Sequence, residues 1–291
     1  VFALPIILGN FFQQTYTLAD SAIVGRFVSQ QALAAVGACY ALTNIFICVA
    51  IGGGIGASVV VSRHFGAGEY ERMKRAVLTA LWAFLALSLA LGCFGFLAGR
   101  QIMILLNTPA DILDMTVEYL GIYFLGLPFL FMYNVLSSMF NALGKSRIPL
   151  YFLIFSSLFN ILLDFILVTR FGMGVAGVAW ATLIAQGISA ILSFFVFLGQ
   201  LRRLPGRPSA FFDRRELGAM TRIALPSILQ QSTVSIGMLL VQSVVNGFGS
   251  EALAGFSAAM RIESLCIVPM TSIGNALSSY TAQNLGARQP E

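Results

Sequence analysis

Two acids stand where a carboxylate is costly. Asp20 sits late in the apolar run Leu4 to Ala38, and Asp164 sits inside the apolar run between Arg147 and Arg170. Each acid precedes an arginine, Arg26 or Arg170, by six residues. At about 1.5 Å per helical residue, both acids lie roughly 9 Å inside the same boundary. Asn160 and Asp164 are spaced i and i+4, so amide and acid share one helix face. Thr182, on the next run, reaches a similar level, and Tyr119 starts the run before. Two acids, an amide and a hydroxyl at one depth make a polar pocket in a lipid-embedded bundle. The plainer alternative is a buried polar network that fixes helix packing. An ionisable residue in a lipid-embedded segment marks function by default.

The surrounding elements are apolar helices. The chain is 58% hydrophobic and 10% charged, against about 25% charged in soluble domains. Charge-free windows such as 27–62, 76–99, 119–144, 171–201, 223–250 and 264–287 reach the roughly 20 residues that a membrane helix needs. Lipid leaves backbone groups no outside partner, so these windows are predicted as helices. Alternating strand patterns are absent from the sequence. Eight spans are expected: 1–25, 32–62, 72–99, 112–141, 147–170, 174–201, 216–247 and 251–285. The fold class is an all-α polytopic bundle.

The chain repeats itself. Leu4-Pro5 returns as Leu225-Pro226, Ala32-Leu33-Ala34 as Ala252-Leu253-Ala254, and Gly66-Ala67 as Gly286-Ala287, at offsets of 221 and 220. A match at such long period marks two related halves. The expected division is 1–201 as a six-helix lobe, 202–215 as a hinge-like linker, and 216–291 as the first two helices of an incomplete second lobe. The start inside an apolar run and the short second half point to a fragment of a longer protein.

Of seventeen Lys and Arg, thirteen fall on one side of the predicted topology. Loops rich in Lys and Arg stay cytoplasmic, which places the N-terminus in the cytoplasm of a bacterial-type inner membrane. The net charge of +5 then needs no nucleic-acid partner, because it faces an anionic leaflet. Cys39, Cys48, Cys93 and Cys266 all lie in apolar spans without a CxxC pair, and read as small buried hydrophobes. His64 reads as a helix-end residue in a solvated turn. Gly52 to Gly56 lacks the ending of a phosphate loop and reads as a close-packing segment.

Polar groups in the first span, including Gln13, must face protein or water, and Pro5 can kink it. The eighth span carries Arg261 and Glu263, two apart and so on different faces; each is expected to meet another helix.

Leu4-Pro5, Asp20 to Gly25, Ala32 to Gly37, Arg63 to Gly68, Asn160 to Asp164, Gly172 to Gly177 and Gln283 to Ala287 resemble the multidrug and toxic compound extrusion (MATE) family. The resemblance implies twelve helices in two six-helix lobes. It implies a cation site at Asp20, Asn160, Asp164 and Thr182, with Tyr119 as a cavity residue and Pro5 as a bending point. Gln230 and Gln231 stand where one branch has a glutamate, so the chain is more similar to the DinF-like branch, as is Met260 to Glu263. The expected activity is proton- or sodium-coupled antiport of amphipathic or cationic organic compounds, by a monomer needing no other cofactor. A lipid-linked saccharide flippase of the same superfamily is the alternative; it is disfavoured because only Arg261 is inside a span. An intramembrane enzyme lacks any HExxH or Ser/His set in the spans.

Overall fold

The protein is described by a computed structural model covering residues 3–106, 108–206, 210–246 and 250–289. Eight α-helices follow one another among these residues. They are α1 (Ala3–Ile23), α2 (Gln30–Gly66), α3 (Tyr70–Leu105), α4 (Ala110–Ala142), α5 (Arg147–Thr169), α6 (Gly174–Arg202), α7 (Arg214–Asn246) and α8 (Ser250–Gly286). A π-helical turn, Val24–Val28, continues α1. Extended Ser29 then breaks the chain direction and caps α2, its hydroxyl accepting from the Ala32 amide at 3.0 Å. Gly68 turns the chain between α2 and α3 at φ 71°, a conformation that suits a residue without Cβ.

Among the described residues, five helical segments are long and apolar enough to cross a membrane: Leu42–Gly66, Tyr70–Leu105, Ala110–Ala142, Arg147–Thr169 and Gly174–Arg202. Helix α1 has 21 residues, but the polar groups that make it interesting also lower its mean hydropathy. The α3 helix runs past the expected end because residues 100–105 continue it, and Arg100 pairs with Asp114 at 3.1 Å across the turn.

The main core lies among α2, α3, α4 and α6. Buried Phe124, Phe131, Phe140 and Phe197 fill it. Phe46 meets Phe124 and Phe140 meets Phe197 edge-on, with ring centroids 5.3 and 5.1 Å apart. Gly95 of α3 faces the Phe124 ring so closely that a Cβ would strike it, which lets α3 and α4 approach as helices do in lipid. The opposite face of α3 shows Trp82, Leu89, Phe94 and Leu97 outward, the surface expected against acyl chains.

The repeats pack crosswise. Asn10 of α1 donates to Ser272 of α8 at 2.8 Å, and Asn44 of α2 donates to Ser235 of α7 at 3.0 Å. At the end of the bundle rich in basic residues, α2 and α8 cross at Gly66 and Gly286. The connection from α6 to α7 is fastened to α3. Lys74 Nζ donates to the Leu204 and Gly206 carbonyls, both at 2.7 Å. Arg75 pairs with Asp213 at 3.2 Å, and the Asp213 amide donates to Thr79 Oγ1 at 3.0 Å. The turn after α2 was expected to be solvated throughout; instead Lys74 is buried, because linker carbonyls surround its ammonium.

Candidate cation site

Helices α1, α5 and α6 bring four of the expected residues together. Asn160 and Asp164 are one turn apart on α5 and both are buried. The donors and acceptors around Asn160 fix its amide orientation. Its Nδ2 donates to Asp164 Oδ2 at 3.2 Å, and its Oδ1 accepts from Thr182 Oγ1 at 3.3 Å and from the Thr182 backbone N–H at 3.2 Å. The Asp20 side chain comes from the last turn of α1, and its carboxyl lies within hydrogen-bonding reach of the Asp164 carboxyl. Two carboxyls can bond in this way only if one holds a proton.

Asp20 Oδ1 and Asp164 Oδ1 are buried and meet no hydrogen-bond donor among the described residues. Arg26 and Arg170 are exposed and lie about a turn and a half further along their helices. A proton shared by the pair, or a monovalent cation between them, would satisfy both oxygens. The donor set is carboxyl, amide and hydroxyl oxygen, which suits a hard cation, so the residues present fit the coupling ion implied by the family resemblance.

Three tyrosines complete the surroundings, one from α1 and two from α4. Tyr16 precedes Asp20 by one turn and lies against Thr182, Asp20 and Asp164. Tyr119 and Tyr123 of α4 line a small pocket together with Thr182. On the basic-end side of the acids is a cavity of about 70 Å³ whose wall includes Gln13, Tyr16, Asn134, Ser157, Asn160 and Gln186. Polar lining of this kind holds ordered water. The volume is far below the roughly 300 Å³ at which organic-ligand pockets begin.

The other side of the acids is apolar. Val24 and Val168 lie one turn beyond Asp20 and Asp164, and pack with Ala32, Val175 and Val178 in one buried cluster. Val24 follows Asp20 by four residues and so shares its helix face; it is the one buried residue of the π-helical turn.

Thus Asp20, Asn160, Asp164, Thr182, Tyr119 and Gln13 share one region. Pro5 does not reach it. It is buried in the first described turn of α1, about 22 Å from Asp20 at helical rise. Glu263 is exposed on α8, and the Arg261 side chain lies outside the described residues. Tyr16 escaped the sequence reading, although its i−4 spacing from Asp20 carries the same facing signal as Asn160 and Asp164.

The fold and this arrangement define an all-helical integral membrane protein that crosses the bilayer several times and carries acids within its bundle. A family model described as MatE matches residues 5–166 and 226–291. The chain belongs to the MatE family. It is 29% identical over 286 residues to a probable multidrug resistance protein, YpnP, of Bacillus subtilis (strain 168), covering 98% of this chain and 64% of that relative. It is 26% identical to a protein named FAD transporter in Shewanella oneidensis, covering 99% of this chain and 65% of that relative. A solved structure described as the outward-facing conformation of a multidrug resistance MATE family transporter of the MOP superfamily superimposes with a TM-score of 0.89 at 26% identity, covering 99% of this chain and 64% of that one. The chain therefore spans about 64% of the length of the curated relative YpnP.

Proposed function

We propose that this chain forms the N-terminal lobe and the opening of the C-terminal lobe of a cation-coupled antiporter that exports amphipathic or cationic organic compounds. The observation that carries the reading is the Asp20–Asp164 pair, held among apolar helices by Asn160 and Thr182. A bare buried charge is costly, so filling the pair with a proton or sodium changes which helix packing is favoured. Coupling between cation and exported compound is then a reciprocal free energy, and the two lobes rock to alternate access. The basic end is cytoplasmic by the Lys and Arg bias. Names of the relatives, multidrug resistance proteins among them, support an exporter of organic compounds; in this reading it acts as a monomer with its coupling ion as the sole cofactor. The cavity beside the acids is too small for such a compound, so the compound is bound in the cleft that the second lobe completes.

The test is efflux from vesicles under separately imposed proton and sodium gradients. Asp20→Asn and Asp164→Asn keep the shape but remove the charge, and each is expected to abolish gradient-driven efflux while keeping part of equilibrium compound binding. Parent-like efflux by both variants would make the acids structural.

A further inference from the structure

His64 closes α2 at the basic end, and both of its ring nitrogens face carboxylates. Nδ1 lies 3.0 Å from Glu69 Oε2, in the turn between α2 and α3. Nε2 lies 3.1 Å from Glu216 Oε2, in the first turn of α7. A neutral imidazole has one N–H and one lone pair. Whichever tautomer it adopts, one carboxylate would face that lone pair. Only the imidazolium donates at both nitrogens, and each bond is then charge-assisted. The ring and Glu216 are largely shielded, with side-chain exposures of 16% and 12%, so this is not a solvent-screened surface pair.

The partners come from different halves of the chain. Glu69 belongs to the first repeat, where Arg72 also pairs with it at 3.3 Å. Glu216 opens the second repeat. The other charged groups nearby are exposed: Arg63 on α2, Arg214 and Arg215 on α7, and Arg288 after α8. The same end is shut by further contacts between the halves. Ser58 and Ser279 are hydrogen-bonded at 3.2 Å and buried, Gln283 donates to the Ala142 carbonyl, and Gly66 and Gly286 leave no room between α2 and α8.

We propose that His64 is a proton-operated latch on the cytoplasmic end. Protonated, it ties the first turn of α7 to the α2–α3 turn and keeps that end closed. Deprotonated, it keeps one carboxylate at most, and the halves are free to part. This rests on the alternating-access reading above, but it adds a second titratable site, at the opposite end from the acid pair and reporting cytoplasmic pH. The latch opens as cytoplasmic pH rises.

The experiment reads opening directly and needs no export. The four native cysteines are replaced by alanine, and Ser279→Cys is introduced as a reporter buried at the α2–α8 crossing. A membrane-impermeant thiol reagent is added to inside-out vesicles at about pH 6 and about pH 8, a range that spans ordinary histidine titration, with rates corrected for thiolate content. Loss of one charge-assisted bond corresponds to about a tenfold rise in labelling rate. His64→Gln and Glu216→Gln are expected to label fast at both pH values, and His64→Lys, with its fixed charge, slowly at both. If His64→Gln fails to insert, Glu216→Gln asks the same question from the other partner. A parent rate that does not change with pH, or a pH response that survives in Glu216→Gln, overturns the latch. Efflux defects in the Asp20 and Asp164 variants test the acid pair separately, so either idea can fail alone.

Discussion

Gly66 and Gly286 cross so closely that a Cβ on either would strike the other helix's backbone. Gly66 faces the Gln283 carbonyl, and Gly286 faces the Arg63 carbonyl. The 220-residue offset that relates the repeats relates Gly66 to Gly286 and Arg63 to Gln283. Each repeat therefore sets the same glycine against the same carbonyl of the other, as expected of repeats related by a pseudo-two-fold axis. Because backbone stands in the way, a methyl group cannot be accommodated by a side-chain rotation. Gly66→Ala and Gly286→Ala are each expected to cost about 1–3 kcal/mol. Thermal unfolding in detergent should show both melting several degrees below the parent. Gly37→Ala, where nothing lies within 4 Å of the added Cβ, should melt with the parent.

Asn160 joins two of the site's three helices, since it donates to Asp164 on α5 and accepts from Thr182 on α6. Asn160→Ala leaves Asp164 Oδ2 without that donor and removes the acceptor for Thr182. Unpairing a buried polar group costs about 1–3 kcal/mol, and 1.4 kcal/mol is a factor of ten. The variant is expected to insert and fold, but to need about a tenfold larger cation gradient for half-maximal efflux. Asn160→Asp places a third acid on the pair and should be worse still at alkaline pH. Parent-like gradient dependence in Asn160→Ala would remove Asn160 from the site.

Much of this was legible from residue type and spacing. Apolar runs delimit helices because lipid forbids unpaired backbone, and seven of the eight observed helices begin and end within about four residues of the expected limits, α3 being the exception. The i, i+4 pair of Asn160 and Asp164, and the matched depth of Asp20, followed from helix geometry. Tyr16 was passed over because tyrosine is common in apolar helices and only its neighbour Thr182 reveals its side. Gly66 and Gly286 were visible as a repeat, but a repeat does not say that its copies touch. His64 was read as a solvated end, since nothing local shows that Glu216, 152 residues on, closes over it. The valine cluster joins residues from several helices, and the sequence does not say which apolar faces meet.

Glu69 gives the basic end an acid limit. Glu69 is exposed, and the hydrogen bond from His64, ahead of the two Arg72 contributions, holds its carboxyl below the ordinary glutamate range against a smaller loss of hydration. A depressed folded value means stabilisation that is complete above the unfolded value and lost as pH falls through the folded one. The α2–α3 turn should therefore keep its hydrogen-exchange protection from neutral pH down through the usual carboxylate range, and lose it only below that range. Glu69→Gln should lower protection at neutral pH and flatten the acid limb. An acid limb that is unchanged in Glu69→Gln would assign it to another carboxylate.

Val168 tests which side of the acids is sealed. It lies one turn beyond Asp164, and with Val24, Val175 and Val178 it separates the pair from the end marked by Arg26 and Arg170. On the other side lies the polar cavity lined by Gln13 and Tyr16. Cations are thus expected to reach the acids through that cavity when the cleft between lobes opens, not straight along the helices. Val168→Thr keeps the volume and adds a hydroxyl, which can bond back to the Asp164 carbonyl four residues earlier. That lowers the cost of burial and gives water a first foothold in the cluster. In proteoliposomes holding a pH gradient and no exported compound, Val168→Thr should dissipate the gradient several-fold faster than the parent, while Val168→Ile stays tight. The leak should vanish in Val168→Thr combined with Asp20→Asn, because the proton has lost one of its two carriers. A Val168→Thr protein as tight as the parent would show that the cluster is not what separates the acids from that face.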